Sequence, residues 1–258
     1  MTARQTPEGR ELQSKRDELA AQQTELVQRE LELATLSGRL HSFEQRYLSS
    51  VGVRYAQLDQ IEADIAEAQA RLDPTDDTAH QRAAEARNRA IESERVSGEK
   101  LLEPTPQDRF DPKESMKKAY REIAKLVHPD LTTDADERVL RNQVMAEVNR
   151  AYERGDEARL RALLEEWESR PEAVPGESIG AELVRTIRRI AQVSKRLSKI
   201  TAEIASLMAS ELHQLMLTAD SAAAKGRDLL EEMASKLDRQ IAEARGRFDS
   251  RAAQVGKG

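Results

Sequence analysis

The sequence predicts an all-α protein in which two elongated coiled-coil arms flank a small central helical-hairpin domain. Three observations predict it. Ala, Leu, Glu, Lys and Arg supply about half of the 258 residues, the usage of long helices. Aromatic residues are only 3% and charged residues 34%, so one core of the size this length would allow is not expected. Leucines recur at seven-residue intervals over the first forty residues, the repeat of a coiled coil.

The N-terminal arm is assigned to residues 1–77. Thr6-Pro7-Glu8 has the form of a helix start, with Thr as N-cap and Pro where its missing N–H is harmless. Leu12, Leu19, Leu26, Leu33, Leu40 and Tyr47 then keep a seven-residue step, widened by Val27, Leu36, Phe43 and Val51. Lys15, Gln22 and Arg29 stand three places after the first leucines, which leaves the seam one-sided as far as Leu31. Leu58, Ile61, Ile65, Ala68 and Leu72 continue a helical stripe in a shifted phase, and Asp73-Pro74-Thr75-Asp76-Asp77 breaks it.

Residues 78–107 read as a charged helical linker with little to bury, closed by Glu103-Pro104-Thr105-Pro106. Residues 108–169 form the compact centre. Asp111-Pro112-Lys113-Glu114 is a capping arrangement that starts a helix reaching Val127, and His128-Pro129-Asp130 ends it. Asp134 to Glu137 caps a second helix through Val144, Met145, Val148, Ala151 and Tyr152. After Gly155-Asp156, the residues Leu160, Leu163, Leu164 and Trp167 supply a third apolar stripe.

Residues 170–180 are a second linker, with Pro171, Pro175 and two glycines. The C-terminal arm, 181–258, opens with the most regular seam. Leu183, Ile190, Leu197 and Ile204 alternate with Thr186, Val193, Ile200 and Leu207. The phase shifts at Met208, Leu212 and Leu215, and a bend or hairpin is expected near 218–226, before the stripe Leu230, Met233, Leu237, Ile241, Ala244 and Phe248. Two uses of these heptads are open: pairing of the arms within one chain, or self-association into a homo-oligomer.

Composition narrows the function. The chain has no cysteine, hence no disulfide framework, thiolate metal site or cysteine nucleophile. The opening residues lack a secretory apolar stretch, and no run approaches the roughly 18 apolar residues of a membrane span, so a cytoplasmic protein without membrane association is expected. A net charge of -6 argues against general nucleic-acid binding, which needs a surplus of Lys and Arg. No phosphate loop, activated nucleophile or metal cluster is present, so neither an enzyme nor a cofactor or metal site is expected. His41, His80 and His213 stand alone in helical stretches and receive no role.

One motif carries a functional expectation. Ala119-Tyr120-Arg121-Glu122-Ile123-Ala124-Lys125-Leu126-Val127 leads into His128-Pro129-Asp130, and Met145, Val148, Asn149, Ala151 and Tyr152 stand at matching places downstream. Met116, Tyr120, Ile123 and Val127 share one side of the first helix, while Lys117, Lys118, Arg121 and Lys125 face elsewhere. Between Lys113 and His128 five basic residues oppose Glu114 and Glu122, a local +3 that suits an acidic protein patch. Over residues 108–155 this resembles the J domain of DnaJ-type co-chaperones, in a variant without the Tyr-x-x-Leu-Gly first helix. The resemblance implies a tip of His128, Pro129 and Asp130, flanked by Lys117, Tyr120 and Arg121, that engages a DnaK-type ATPase chaperone and promotes its ATP hydrolysis. The arms would then serve oligomerisation or hold an unknown client or scaffold protein.

The same residues also admit plainer readings. The alternative for His128-Pro129-Asp130 is a helix stop in a hairpin, and for the basic face a solvated helix surface. A coiled-coil scaffold whose hairpin only binds proteins is the alternative function. Tyr120 and Tyr152 fit a core better than a contact surface.

Overall fold

The structure is a computed structural model that describes residues 6–101, 110–132, 134–168 and 179–255. Residues 102–107 of the expected linker 78–107 and residues 170–178 of the expected linker 170–180 lie outside the described residues. The helices are α1 (Pro7–Tyr47), α2 (Val53–Leu72), α3 (Asp77–Leu101), α4 (Glu114–Val127), α5 (Ala135–Glu153), α6 (Glu157–Glu168), α7 (Ile179–Ala209), α8 (Glu211–Ala223) and α9 (Leu229–Val255). The all-α class holds, and no strand occurs among the described residues.

Two compact units divide the chain, and each draws on segments far apart in sequence: residues 1–40 with 108–210, and residues 41–107 with 211–258.

In the first unit, the apolar side of α4 does what its spacing dictates. Met116, Tyr120, Ile123 and Val127 are buried with Met145, Val148 and Tyr152 of α5 and with Leu160 and Leu163 of α6. The hairpin is not closed by its own residues alone, because Val27, Leu31 and Ala34 of α1 complete the same core. Phe110 lies on α1 as well, its ring so close to Gly38 that a Cβ there would stand 2.6 Å from a ring carbon. The adjoining side of α1 pairs with α7 through Leu19, Leu26, Val193 and Ile200, with Leu33, Ile190, Leu197 and Ile204 around them. Arg16 pairs with Glu182, Ser194 with Gln22 and Arg196 with Glu30, so partners rise together and the two helices run parallel.

This overturns the expectation of elongated coiled-coil arms around a separate hairpin. The heptad leucines of α1 and α7 are spent on each other within one chain, and α1 is a wall of the hairpin's core. A seam filled in this way is not available for coiled-coil oligomerisation.

In the second unit, a five-residue π turn, Leu48–Gly52, leads from α1 into α2 with right-handed helical dihedrals at Tyr47, Gly52 and Val53. One extra residue per turn rotates everything after it, which accounts for the phase shift read at Leu58 and Ile61. The α2–α3 contact is made of alanines: Ala63 with Ala86 and Ala90, and Ala70 with Ala79 and Ala83. So α3 is not the solvated linker that its composition suggests; small side chains let the two helices approach closely. On α2's other flank Arg54 reaches Asp238 of α9 at 2.8 Å. The break between α7 and α8 falls at Ser210, and α8 turns into α9 at Gly226, whose φ of 74° is the left-handed value that glycine accepts at no steric cost.

Candidate functional site

The turn after α4 is built by its sequence. His128 leaves the helix at φ -56° and ψ 130°, and Pro129–Leu131 follow as one turn of 3-10 helix. Pro129 at the first position of that turn needs no N–H partner. The Arg141 guanidinium caps the end of α4 by donating to the Leu126 carbonyl at 2.7 Å. It also donates to Glu137 and stands over the Trp167 ring, 5.2 Å from its centroid. Asp134 caps α5 by accepting from the Glu137 N–H at 2.8 Å, as its place in the sequence requires. Asp111 does not cap α4; Lys113 takes that position without a side-chain bond.

His128 points inward. It is 2% exposed, and its Nε2 lies 3.1 Å from Oε1 of Glu30, itself 3% exposed. Nδ1 accepts the Asp130 N–H at 3.2 Å, which requires Nδ1 to be unprotonated, so Nε2 carries the hydrogen and donates it to Glu30. Arg196 of α7 closes on the same carboxylate in a fork, Nε to Oε1 at 2.7 Å and Nη2 to Oε2 at 2.9 Å. Burial pushes the Glu30 carboxyl up, but the hydrogen bonds from His128 and Arg196, with the Arg196 charge, more than offset this and hold it below its ordinary value. The result is a buried, charge-compensated clamp that joins α1, α7 and the turn after α4. An open cavity of about 420 Å³ borders it, lined by Glu30, Asn149, Glu153, Arg196 and Glu203 among others.

The six residues expected to face a partner do not share one free surface. Tyr120 is fully buried, packs on Tyr152 at 4.8 Å between ring centroids and donates its hydroxyl to Asn149 Oδ1 at 2.8 Å. Arg121 is engaged by Glu114 and by the Lys117 carbonyl. Lys117, Pro129 and Asp130 are half-buried, and the Asp130 carboxylate stands 4.0 Å from His128 Nδ1. Glu30, Arg141 and Arg196 were not singled out by the sequence. For Glu30 one signal existed, a lone acid between Val27, Leu31 and Ala34 on the apolar side of α1.

The second unit carries a different feature. A groove of about 370 Å³ runs between α2 and α3, with Val53, Ala56 and Gln60 on one wall and Ala90, Ser97 and Gly98 on the other. Among the described residues Glu94 is the only ionised one lining it. Gly98 lies within α3, and a Cβ there would meet nothing within 4 Å. Ile91, seven residues earlier and on nearly the same side of α3, is 55% exposed.

Among the described residues no group of three or more His, Cys, Asp or Glu side chains could hold a metal ion, and no helix is long and apolar enough to cross a membrane. The chain matches no family model, no curated protein and no solved structure. With no match to the J-domain family, and with His128 clamped under α1 and α7 where a trigger would have to be presented, both the resemblance and the DnaK-stimulating role that it implied are withdrawn.

Proposed function

We propose that the chain is a non-enzymatic protein-binding protein whose α2–α3 groove receives an apolar segment of another protein. The observation that carries this is Gly98. A glycine in a helix costs about 1 kcal/mol relative to alanine, and here neither a left-handed backbone nor a neighbouring atom calls for it. It does leave an apolar groove open to close approach from outside, beside the exposed Ile91. Apolar grooves with few polar groups are the usual seats of amphipathic segments. A single carboxylate in the lining does not favour nucleic acid. A cysteine-free chain fits a reducing compartment, and we place the protein in the cytoplasm.

Affinity capture from cells, run in parallel with wild type, Gly98→Leu and Gly246→Leu, tests the reading. Gly246 is a second helix-interior glycine facing open space, on α9. A protein captured by wild type and by Gly246→Leu, but reduced about fivefold or more by Gly98→Leu, is the expected result. Identical captures with all three would overturn it.

A further inference from the structure

The outward side of α7 points to a second docking surface, of different chemistry from the α2–α3 groove and in the other unit. Residues Val184, Arg188, Ala191, Lys195, Lys199 and Ala202 recur at steps of three, four and seven, so they share the side of α7 opposite Val193 and Ile200, and all six are exposed. Over its length α7 carries six basic residues against Glu182 and Glu203, in a chain whose total is -6. Both acids are already used, Glu182 by Arg16 and Glu203 by Arg196. Arg188, Lys195 and Lys199 have no carboxylate within ion-pair distance among the described residues, whereas Arg16, Arg29, Arg54, Arg121, Arg159 and Arg196 all do. Beside the cations stand side chains that a partner can approach closely: Ala191, Ala202 and, at the N-terminal end, Val184 and Ile187, 48% and 43% exposed.

We propose that this face of α7 binds an acidic amphipathic helix of a partner protein, its carboxylates meeting Arg188, Lys195 and Lys199 and its apolar side chains lying on Val184, Ile187 and Ala191. Charge complementarity selects an acidic partner, and the spacing of the three cations along one helix matches acids repeated on another. A lipid surface is disfavoured because two β-branched side chains offer little to bury in the acyl region. Duplex nucleic acid is disfavoured because three cations are few beside the roughly six to ten phosphate contacts of typical binders.

The test is fluorescence anisotropy with a labelled helical peptide bearing Glu along one face and Leu and Ala along the other. Phosphatidylserine–phosphatidylcholine vesicles and duplex DNA serve as rival probes. Wild type should bind the peptide, and the affinity should fall about tenfold or more on raising salt from about 0.05 to about 0.3 M. The triple variant Arg188→Glu, Lys195→Glu, Lys199→Glu should lose about tenfold or more while its thermal melt is kept, because all three side chains are exposed. Charge reversal at Lys225 and Lys236, outside α7, should change nothing. No peptide binding, equal binding by the triple variant, or tighter binding of vesicles or DNA would each overturn the proposal. None of these outcomes bears on Gly98, whose capture experiment stands by itself.

Discussion

Glu30 and His128 are 98 residues apart in the chain and share a hydrogen bond inside the first unit, where neither side chain meets solvent. Arg196 completes the group from α7. Taking one member from a buried charge-compensated set costs more than the set contributes as a whole, because the others stay behind without a partner.

That imbalance gives a pH dependence with a defined sign. The Glu30 carboxyl titrates lower in the folded chain than its ordinary value of about 4.3. Its contribution is therefore complete above that value and is lost as pH falls through the folded-state value. Urea midpoints measured from neutral pH downward should show Glu30→Gln well below wild type at pH 7, with the two curves drawing together as pH falls below the ordinary carboxyl value. Glu30→Ala should cost about 3 kcal/mol near neutrality, since His128 is left with an unmet Nε2–H while Arg196 keeps Glu203.

The two ends of the His-Pro-Asp turn should behave differently. His128→Gln loses a buried ring that both donates to Glu30 and accepts from the Asp130 N–H, and should cost about 1–3 kcal/mol. Asp130→Asn alters a half-exposed carboxylate and should stay within about 0.5 kcal/mol. Denaturant titrations of the two variants side by side check this. Equal losses would mean that the clamp does not depend on the imidazole.

Arg141 should not be replaceable by lysine. Its planar fork donates to the Leu126 carbonyl and to Glu137 and lies over Trp167 at once, which one ammonium cannot reproduce. Arg141→Lys should cost about 1–2 kcal/mol. Trp167 is the chain's only tryptophan, so the emission maximum reports the lost stacking directly, as a shift in the folded protein.

At Gly38 a single methyl group should be enough to disturb the first unit. The Cβ would fall within 3 Å of three carbons of the buried Phe110 ring, and the ring has Tyr152 at its edge. Gly38→Ala should destabilise by about 1–3 kcal/mol, and pairing it with Phe110→Leu should recover part of that loss in thermal melts.

The sequence carried the local architecture well where the signal was large or chemically specific. Met116, Tyr120, Ile123 and Val127 declare their shared side by volume and spacing, and Asp134 declares a helix start by its capping chemistry. The phase change after Val51 was visible too, and the π turn is its physical cause. Pairings across long distances were not legible. Heptads state that a helix has an apolar seam but not what fills it, so α1 and α7 read equally well as arms or as each other's partners. The α2–α3 contact was missed because alanine adds little to any hydropathy stripe, although Ala79, Ala83, Ala86 and Ala90 keep a helical step. The resemblance around His128 failed because local order and spacing say nothing of the groups that hide His128, which come from α1 and α7.

The parallel α1–α7 pairing sets a schedule for synthesis. Arg16 and Glu182 lie 166 residues apart, as do Glu30 and Arg196, so α1 leaves the ribosome long before the helix that covers it exists. At about 5–20 residues per second the leucine edge of α1 waits some ten seconds or more in the open. A nascent chain of this design therefore meets its greatest hazard, premature association with its neighbours on the same message, before its first unit can close.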